Sequence, residues 1–224
     1  MIGSFLRKGV AQLPTRAVRI VIFWLIFIFI FTTVSASAAS ISVEDAQLIL
    51  DRHGYRPGPI DGLLGEKTRD SILAFQKAHG LPEKTGYIDE ETKIALRNAI
   101  ELEPKKKRSG IHIEVDIDRQ LLYLVENGSI RNILNTSTGK DDRTPRGTFQ
   151  IYDKVTEGWV DAIGRDGSVQ GRMYKPIKFY GLYYIHGSDY VPSYPASLGC
   201  VRVHPRHMNF LHEKTDLKTE VIIY

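Results

Sequence analysis

The stretch HGSDYVPSYPASLGCVRV, residues 186–203, decides the fold of the second half of the chain. It begins where an apolar run, GLYYIH, ends at His186, and that run predicts a β-strand. A loop rich in Pro, Ser and Tyr then returns the chain to Cys200, which is the only cysteine. A strand end and a returning loop can bring an imidazole within hydrogen-bond distance of a thiol. Such a neighbour lowers the thiol pKa and yields a reactive thiolate.

Two interpretations of Cys200 are open at this point. An isolated Cys and His usually serve as a small buried side chain and a structural histidine. The neighbouring residues favour a nucleophile instead, because Pro, Gly and polar residues on both sides of Cys200 fit an exposed loop better than a core strand. Gly199 also permits a tight turn that can direct backbone N–H groups at a developing oxyanion.

The first 38 residues predict export. Four basic residues precede the apolar run at 20–31, and the small-residue segment SASAAS follows at 35–40. Residues 36–38 have the form of a signal-peptide cleavage site, although an uncleaved N-terminal anchor is the alternative. The expected location is therefore the periplasm or cell wall, with the leader as the only membrane contact. An unused thiol there carries an oxidation risk, which again favours a functional Cys200.

The charge balance excludes one class of partner. The chain has 30 Lys and Arg against 26 Asp and Glu, and the leader carries four of the basic residues and none of the acidic ones. The remainder is formally neutral and lacks the electrostatic signature of a nucleic-acid-binding protein. The basic segment EPKKKRSG, residues 103–110, is interpreted as a solvated linker between a helical domain at 41–102 and a second domain at 111–224.

The helical domain is predicted as a small three-helix bundle. Ser42 and Asp45 form a possible capping box for the first helix. The segment EKTRDSILAFQKAHG gives the second helix, with Gly80 just beyond its end. Asp89 caps the third helix, in which Ile94, Ala95 and Ile100 are expected to face inward.

After the linker the apolar period changes to two, which predicts a mostly β domain. The pair Asn127-Gly128 lies between two apolar runs and predicts a hairpin. One helix is expected at PRHMNFLHE, with Pro205 at its first position. Further strands are predicted at IHIEVDID, TPRGTFQIY, KFYGLYYIH and EVIIY. The fold class is therefore α+β and multidomain.

The helical segment resembles a known family. DGLLGEKT at 61–68, AFQ at 74–76 and G-x-I-D-x-x-T at 86–92 are similar to elements of the three-helix peptidoglycan-binding domain found on many cell-wall enzymes. The resemblance implies peptidoglycan, with its glycan strands and peptide stems, as the partner. Most matched residues, such as Phe75 and the Asp61-Gly62 turn, are expected to hold the fold.

Residues 111–224 resemble an L,D-transpeptidase catalytic domain. The signature of that family is a His-Gly pair, a spacer, and then Ser-His-Gly-Cys followed by a β-branched residue and Arg, and it stands here at 186–203. STGKDDRTPRGTFQI at 137–151 matches the Thr-Gly and Thr-Pro-x-Gly elements, and MYKPIKFYG matches the strand before the histidine. This chain departs from the pattern at Leu198, where the family usually has His, so an imidazole contribution from that position is in doubt.

The resemblance implies roles for individual residues. Cys200 would be the nucleophile, His186 its base, and the carbonyl of Gly187 the group that orients the imidazole, with Asp189 a less favoured orienter. The backbone N–H groups of Leu198, Gly199 and Cys200 would form the oxyanion hole. The expected substrate-binding residues are Arg202, Ser197 and Tyr174, with Arg202 as an equal candidate for bracing the loop. No metal or cofactor is implied, and His204, His207 and His212 are expected on a surface helix.

The implied function is an L,D-transpeptidase that acts on tetrapeptide stems through a thioester acyl-enzyme and forms 3→3 cross-links. By analogy, carbapenem-type inhibitors would acylate Cys200. Water as acceptor would make the protein an L,D-carboxypeptidase, and a protein amine would make it an enzyme that anchors proteins to the wall. The alternative from another class is a non-catalytic wall-binding protein in which Leu198 marks a decayed site.

Overall fold

Three helices open the part of the chain that the computed structural model describes, residues 40–224. They are α1 (Val43–Arg52), α2 (Glu66–Ala78) and α3 (Glu90–Arg97). The capping box of Ser42 and Asp45 is confirmed, and Asp89 caps α3 by accepting from the amide of Thr92 at 2.7 Å. The predicted leader lies outside the described residues. No helix within the described range is long and apolar enough to cross a membrane.

Two buried glutamines explain the turns between these helices. The Gln47 Oε1 atom accepts from the amides of Asp61 and Gly62 at 3.0 and 2.9 Å. Gln76 holds the next loop in the same way, since its Oε1 accepts from the amide of Gly86 at 2.9 Å. The Asp61-Gly62 pair and the Gly-x-Ile-Asp pattern at 86–89 are thus turns tied to helix side chains, which is the fold-holding role expected for them.

The inward face predicted for the third helix is wrong at two positions. Ile94 is 56% exposed and Ile100 is 64% exposed, whereas Leu96 is buried. Residues four apart share a helix face, so the buried face of this short helix runs through Thr92 and Leu96, and position 94 lies opposite. Ile100 follows the end of α3 and has no helical face.

The second part of the chain forms two five-stranded sheets. The first sheet has the order β3-β2-β1-β10-β4, with β1 and β10 parallel. The second has the order β5-β7-β8-β9, with β6 paired to β7 and with β8 and β9 parallel. The strands are β1 (Ile111–Asp116), β2 (Leu121–Glu126), β3 (Ser129–Asn135), β4 (Gly147–Gln150), β5 (Asp153–Lys154), β6 (Trp159–Ile163), β7 (Val169–Tyr180), β8 (Tyr183–Gly187), β9 (Val201–Val203) and β10 (Glu220–Ile223).

Local signals in the second part are confirmed. Asn127 and Gly128, with φ of 51° and 78°, form the turn between β2 and β3, as a hairpin of this type requires. Pro205 is the first residue of the remaining helix, α4 (Pro205–Lys214). This helix packs against β7 and β8 and therefore supports the strand that carries His186.

Strand β2 joins two hydrophobic cores. Leu122 and Leu124 point into the core between the sheets and α4. Leu121, Tyr123 and Val125 point the other way, into a core built with α1, α2 and α3. The helices therefore share a core with the first sheet, and residues 41–224 form one compact unit.

The basic segment at 103–110 is anchored rather than free. The amides of Lys105 and Lys106 both donate at 2.7 Å to the carboxylate of Glu114, which is fully buried in β1. Arg108 forms an ion pair with Glu220. The basic side chains are exposed, as a solvated segment requires, but the backbone is tied to the first sheet.

Candidate active site

The pairing of β8 with β9 brings His186 and Cys200 to one face of the second sheet. Ile185 pairs with Val201 and His186 with Arg202. Paired residues of neighbouring strands point to the same side, and residues two apart along an extended chain share a face. Cys200 lies two residues before Arg202, so its side chain is on the same side as the imidazole. Both side chains line one cavity.

The imidazole of His186 is held by the backbone of the next residue. Its Nδ1 lies 3.0 Å from the carbonyl oxygen of Gly187. A carbonyl only accepts, so Nδ1 carries the hydrogen and Nε2 is left as the basic nitrogen. Burial, together with the charge of Arg202, lowers the pKa of His186 to about 4. The imidazole is therefore neutral at pH 7 and able to accept a proton.

Only glycine fits at position 187. A Cβ there would lie 2.8 Å from Cβ of Tyr174 and 2.9 Å from Cα of Pro205. Tyr174 thus packs beneath Gly187, in contact with the Trp159 ring at 5.4 Å between centroids, and it is not among the residues that line the cavity. This geometry gives the ring a packing position, and the substrate contact expected of Tyr174 stays a prediction.

The thiol of Cys200 is protonated at rest. Its Sγ lies 3.8 Å from the carbonyl oxygen of Leu182, and burial raises the thiol pKa, although the amide of Tyr184 and the charge of Arg202 oppose that shift. No hydrogen bond joins Sγ to His186 in the described structure. The thiolate expected from the sequence is therefore not the resting form of Cys200. Burial favours the neutral form of both the thiol and the His186 imidazole.

Two glycines meet beside Cys200. A Cβ on Gly139 would lie 2.7 Å from Cα of Gly199, whose own φ is +138°. The hydroxyl of Thr144 bridges them, since it accepts from the Gly139 amide at 2.7 Å and donates to the Gly199 carbonyl at 2.8 Å. The Thr-Gly and Thr-Pro elements of the sequence are thus packed directly against the Gly-Cys element.

Ser197 braces the loop from within. Its hydroxyl donates to the Cys200 carbonyl at 2.6 Å and accepts from the Gly199 amide at 2.9 Å, and the residue is only 2% exposed. The Gly199 amide, expected as an oxyanion donor, is therefore already engaged. The amides of Leu198 and Cys200 are the remaining candidates. Ser197 touches the cavity, but its polar atom is used inside the loop.

The position of Arg202 is compatible with both roles expected of it, bracing the loop and binding a substrate carboxylate. Its backbone pairs with Ser137 through hydrogen bonds of 3.1 and 3.0 Å, which braces the strand after Cys200. Arg202 also lines the cavity. None of the ion pairs among the described residues includes its guanidinium group. The group is therefore available to a ligand carboxylate.

The cavity has a volume of about 810 Å³ and an opposite wall that the sequence did not reveal. That wall is the hairpin of β6 and β7, which contributes Arg165, Asp166, Gln170 and Arg172. The only sequence signal for it was the turn-rich segment between two short apolar runs. Leu198 lies at the rim and is 53% exposed, so the position that departs from the family pattern presents an apolar side chain to solvent.

The remaining candidates lie elsewhere. Asp189 lines a separate cavity of about 300 Å³ next to α2 and does not contact His186. The expected surface location of the α4 histidines is wrong for His207, which is 2% exposed and lies 3.3 Å from Asp70. His204 caps α4 and pairs with Glu66. Within residues 40–224 no group of His, Cys, Asp and Glu is arranged to hold a metal ion.

Two family models match the chain. The YkuD model, described as an L,D-transpeptidase catalytic domain, covers residues 110–223 and so includes every site residue named above. A peptidoglycan-binding domain model covers residues 40–96, which span the three helices up to the last turn of α3. The family expected from the sequence is thereby shown for both parts.

One solved structure matches most of the chain, and one curated protein matches less than half of it. The L,D-transpeptidase from Xylanimonas cellulosilytica is 34% identical with a TM-score of 0.74, over 81% of this chain and 92% of that one. A Nostoc punctiforme protein that carries the name OxPP cycle protein OpcA is 30% identical over 104 residues, 44% of this chain, and this chain spans only 22% of its length. The chain belongs to the YkuD family of L,D-transpeptidase catalytic domains.

Proposed function

We propose that the protein is an exported, cysteine-dependent L,D-transpeptidase that forms 3→3 cross-links between peptidoglycan tetrapeptide stems. The observation that carries the proposal is the common cavity wall formed by Cys200, His186 and Arg202. It places a thiol, a neutral base and an unpaired cation around one space, which is what acyl transfer from a peptide with a free carboxylate requires.

Acylation starts from neutral groups. The Cys200 thiol gives its proton to Nε2 of His186 as the sulfur attacks the carbonyl between the third residue and the terminal D-Ala. The amides of Leu198 and Cys200 are the proposed donors to the oxyanion. The C–N bond then breaks, His186 returns the proton to the departing D-Ala amine, and a thioester remains on Cys200.

Resolution of the thioester decides the product. The side-chain amine of another stem's third residue attacks the thioester carbonyl, and His186 accepts a proton from that amine. The C–S bond then breaks, His186 passes the proton to the departing sulfur, and the free thiol and a new amide bond result. Water in place of the amine gives a carboxypeptidase, and a protein amine gives a wall-anchored protein. Nothing in the cavity lining distinguishes these acceptors.

The charges around the cavity fit the donor. A tetrapeptide ends in the D-Ala carboxylate, and Arg202 is the cation beside the thiol and imidazole that has no protein partner among the described residues. Arg165 and Arg172 on the opposite hairpin add positive charge. Carbapenem-type inhibitors, which carry a carboxylate next to a strained acyl group, are expected to acylate Cys200 in the same space.

The rival function is a non-catalytic wall-binding protein. It rests on Leu198 alone, whereas the thiol, the imidazole, its carbonyl partner and Arg202 are all in place. A backbone oxyanion hole does not use the side chain at position 198, so the enzyme is favoured.

The experiment is mass spectrometry of a purified disaccharide-tetrapeptide after incubation with residues 40–224, with Cys200→Ala as the matched variant. A cross-linked dimer formed only with the intact thiol supports the transpeptidase. Loss of D-Ala alone supports the carboxypeptidase. An unchanged substrate, together with no mass adduct after carbapenem treatment, would favour the wall-binding protein.

Export is proposed from the leader sequence, and it has its own test. Protein expressed in its full length should fractionate outside the cytoplasm, and a variant that lacks residues 1–38 should remain inside. Mass analysis of the exported protein then distinguishes a cleaved signal peptide from a retained anchor.

A further inference from the structure

Lys77 belongs to helix α2, yet all of the hydrogen bonds of its side chain reach residues at the ends of β2 and β3 in the first sheet. Its Nζ donates to the carbonyl oxygens of Gln120 and Thr136 at 3.2 and 3.0 Å and to the side-chain oxygen of Asn135. An ammonium group has three N–H donors, and here each has an acceptor. The residue is 2% exposed, and burial lowers the pKa of Lys77 to about 7, against the opposing effect of the Asp70 charge.

Asn135 extends this contact into a buried polar cluster. Its Nδ2 donates to Asp70 at 2.9 Å and to the carbonyl oxygen of Val191 at 3.2 Å, in the loop that follows His186. Asp70 in turn accepts from Arg206 at 2.7 Å and lies 3.3 Å from His207 on α4. We call Asp70, Lys77, Asn135, Arg206 and His207 the polar cluster.

The chain that follows Asn135 leads directly to the nucleophile. The hydroxyl of Thr136 donates to the carbonyl of Arg202 at 2.6 Å, and Ser137 forms two backbone hydrogen bonds with the same residue. The carbonyl of Thr138 accepts from the amide of Ser197 at 3.0 Å. Residues 136–138 are thus bonded on one side to Lys77 and on the other to residues within three positions of Cys200.

We propose that Lys77 and Asn135 are positioning residues of the active site, through which the helices hold the strand and loop that carry Cys200. The inference rests on the proposed function for its kinetic readout. It gives the helical part of the chain a second role besides contact with peptidoglycan. The helices become part of the frame of the catalytic centre, because a hydrogen-bonded path runs from α2 to Arg202.

The variant Lys77→Met tests the first link of that path. Methionine keeps the length and helix propensity of the side chain but leaves the Oδ1 of Asn135 and the carbonyl oxygen of Thr136 without the donor that Lys77 supplies, while the Gln120 carbonyl keeps the Thr136 amide. Residues 135–138 are expected to shift, and the geometry at Cys200 with them. A misplaced nucleophile lowers the rate of chemistry more than substrate affinity, so D-Ala release should lose at least ~10-fold in kcat with KM changed less than ~3-fold.

Two controls separate positioning from mere stability. Lys67→Met makes the same change on the same helix, at a side chain outside the polar cluster, and should leave kcat unchanged. Leu50→Ala removes core contacts in α1 and lowers the unfolding temperature without touching residues 135–138. All rates are compared at a temperature where each variant is folded by circular dichroism.

Thr136→Val is the second test variant, since it preserves shape and removes only the hydroxyl bond to Arg202. It keeps the proposal testable if Lys77→Met does not fold. Its kcat should also fall, by at least ~3-fold, with little change in KM.

Thiol alkylation by iodoacetamide gives a readout that does not depend on the peptidoglycan substrate. Burial raises the pKa of Cys200, so a displaced loop should move the alkylation midpoint down by at least ~0.5 pH unit in Lys77→Met and Thr136→Val. If the wild type does not act on the tetrapeptide, the proposed function fails and this shift still decides the positioning role. The positioning role would be overturned if Lys77→Met and Thr136→Val, both folded, kept the wild-type kcat and the wild-type alkylation midpoint and were only destabilised, as Leu50→Ala is.

Discussion

Replacing Gly199 by alanine tests whether the packing of Tyr183 and Arg143 against this glycine sets the position of Cys200. The φ of Gly199, +138°, lies in a region where a residue with a Cβ is strained by ~1–3 kcal/mol. The added Cβ would also lie 2.5 Å from Cε1 of Tyr183 and 3.1 Å from the carbonyl oxygen of Arg143. Overpacking of this kind costs a further ~1–3 kcal/mol. Because the tyrosine ring can yield and the Arg143 backbone cannot, we expect a loss of at least ~2 kcal/mol.

Urea unfolding of residues 40–224 measures this loss. With a slope of ~1–3 kcal/mol per molar, the midpoint should fall by about 1 M, and the residual activity of the folded variant should fall because Gly199 adjoins Cys200. Gly65→Ala is the matched control, since a Cβ at position 65 meets nothing within 4 Å. A loss below ~0.5 kcal/mol for Gly199→Ala, the range of an ordinary surface substitution, would refute the steric argument.

The pH dependence of the reaction tests the protonation state of His186. Its pKa is lowered to about 4, and the base must be neutral, so the rate of D-Ala release should stay constant as the pH falls from 7 to 5 while the protein is folded. A pH–rate midpoint near 6.5 would contradict the buried neutral imidazole. Asp70→Asn removes the charge that pairs with Arg206 in the polar cluster. The free energy of unfolding at pH 7 should fall by ~3–5 kcal/mol, because Arg206 is left buried without its partner charge. A loss under ~1 kcal/mol would count against a tightly paired carboxylate. Leu198→His introduces the usual family residue at an exposed position on the rim of the cavity. It should change kcat/KM less than ~3-fold, because substitutions at exposed positions usually have small effects. A gain of ~100-fold would mean that this chain has lost an imidazole it needs.

The active-site residues that the sequence identified are those whose positions depend on local spacing and strand register. His186 ends an apolar strand, and Cys200 returns beside it through a loop with a glycine at the tight turn. The packing of the Tyr174 ring against Gly187 could not be predicted, because the register of β7 shifts between Tyr174 and Ile177 and the backbone of Lys175 has a φ of +43°. A bulge of this kind changes the face to which neighbouring side chains point, and period-two reasoning has no signal for it.

The polar cluster could not be read from the sequence for a different reason. Lys77 contacts Asn135 and Thr136, which are 58 and 59 positions away. A lysine on a helix normally predicts an exposed side chain, and only the packing of α2 on the sheet buries this one.

Burial also explains why the thiol of Cys200 is protonated at rest. Chemistry at short range favours a thiolate beside an imidazole, whereas removal of both groups from water favours their neutral forms.

Strand β2 gives the physical reason why the helices and the two sheets form one unit. A strand with one solvated face alternates apolar and polar residues, but LLYLV is apolar at every position because both of its faces are covered. Without the helices, Leu121, Tyr123 and Val125 would form an exposed apolar patch on the first sheet, of the kind that promotes aggregation. The unbroken apolar run therefore indicates a partner surface on the outer face, and the helices that precede it in the chain supply that surface. The basic segment at 103–110 connects two parts of one structure, and the catalytic loop is positioned from both of them.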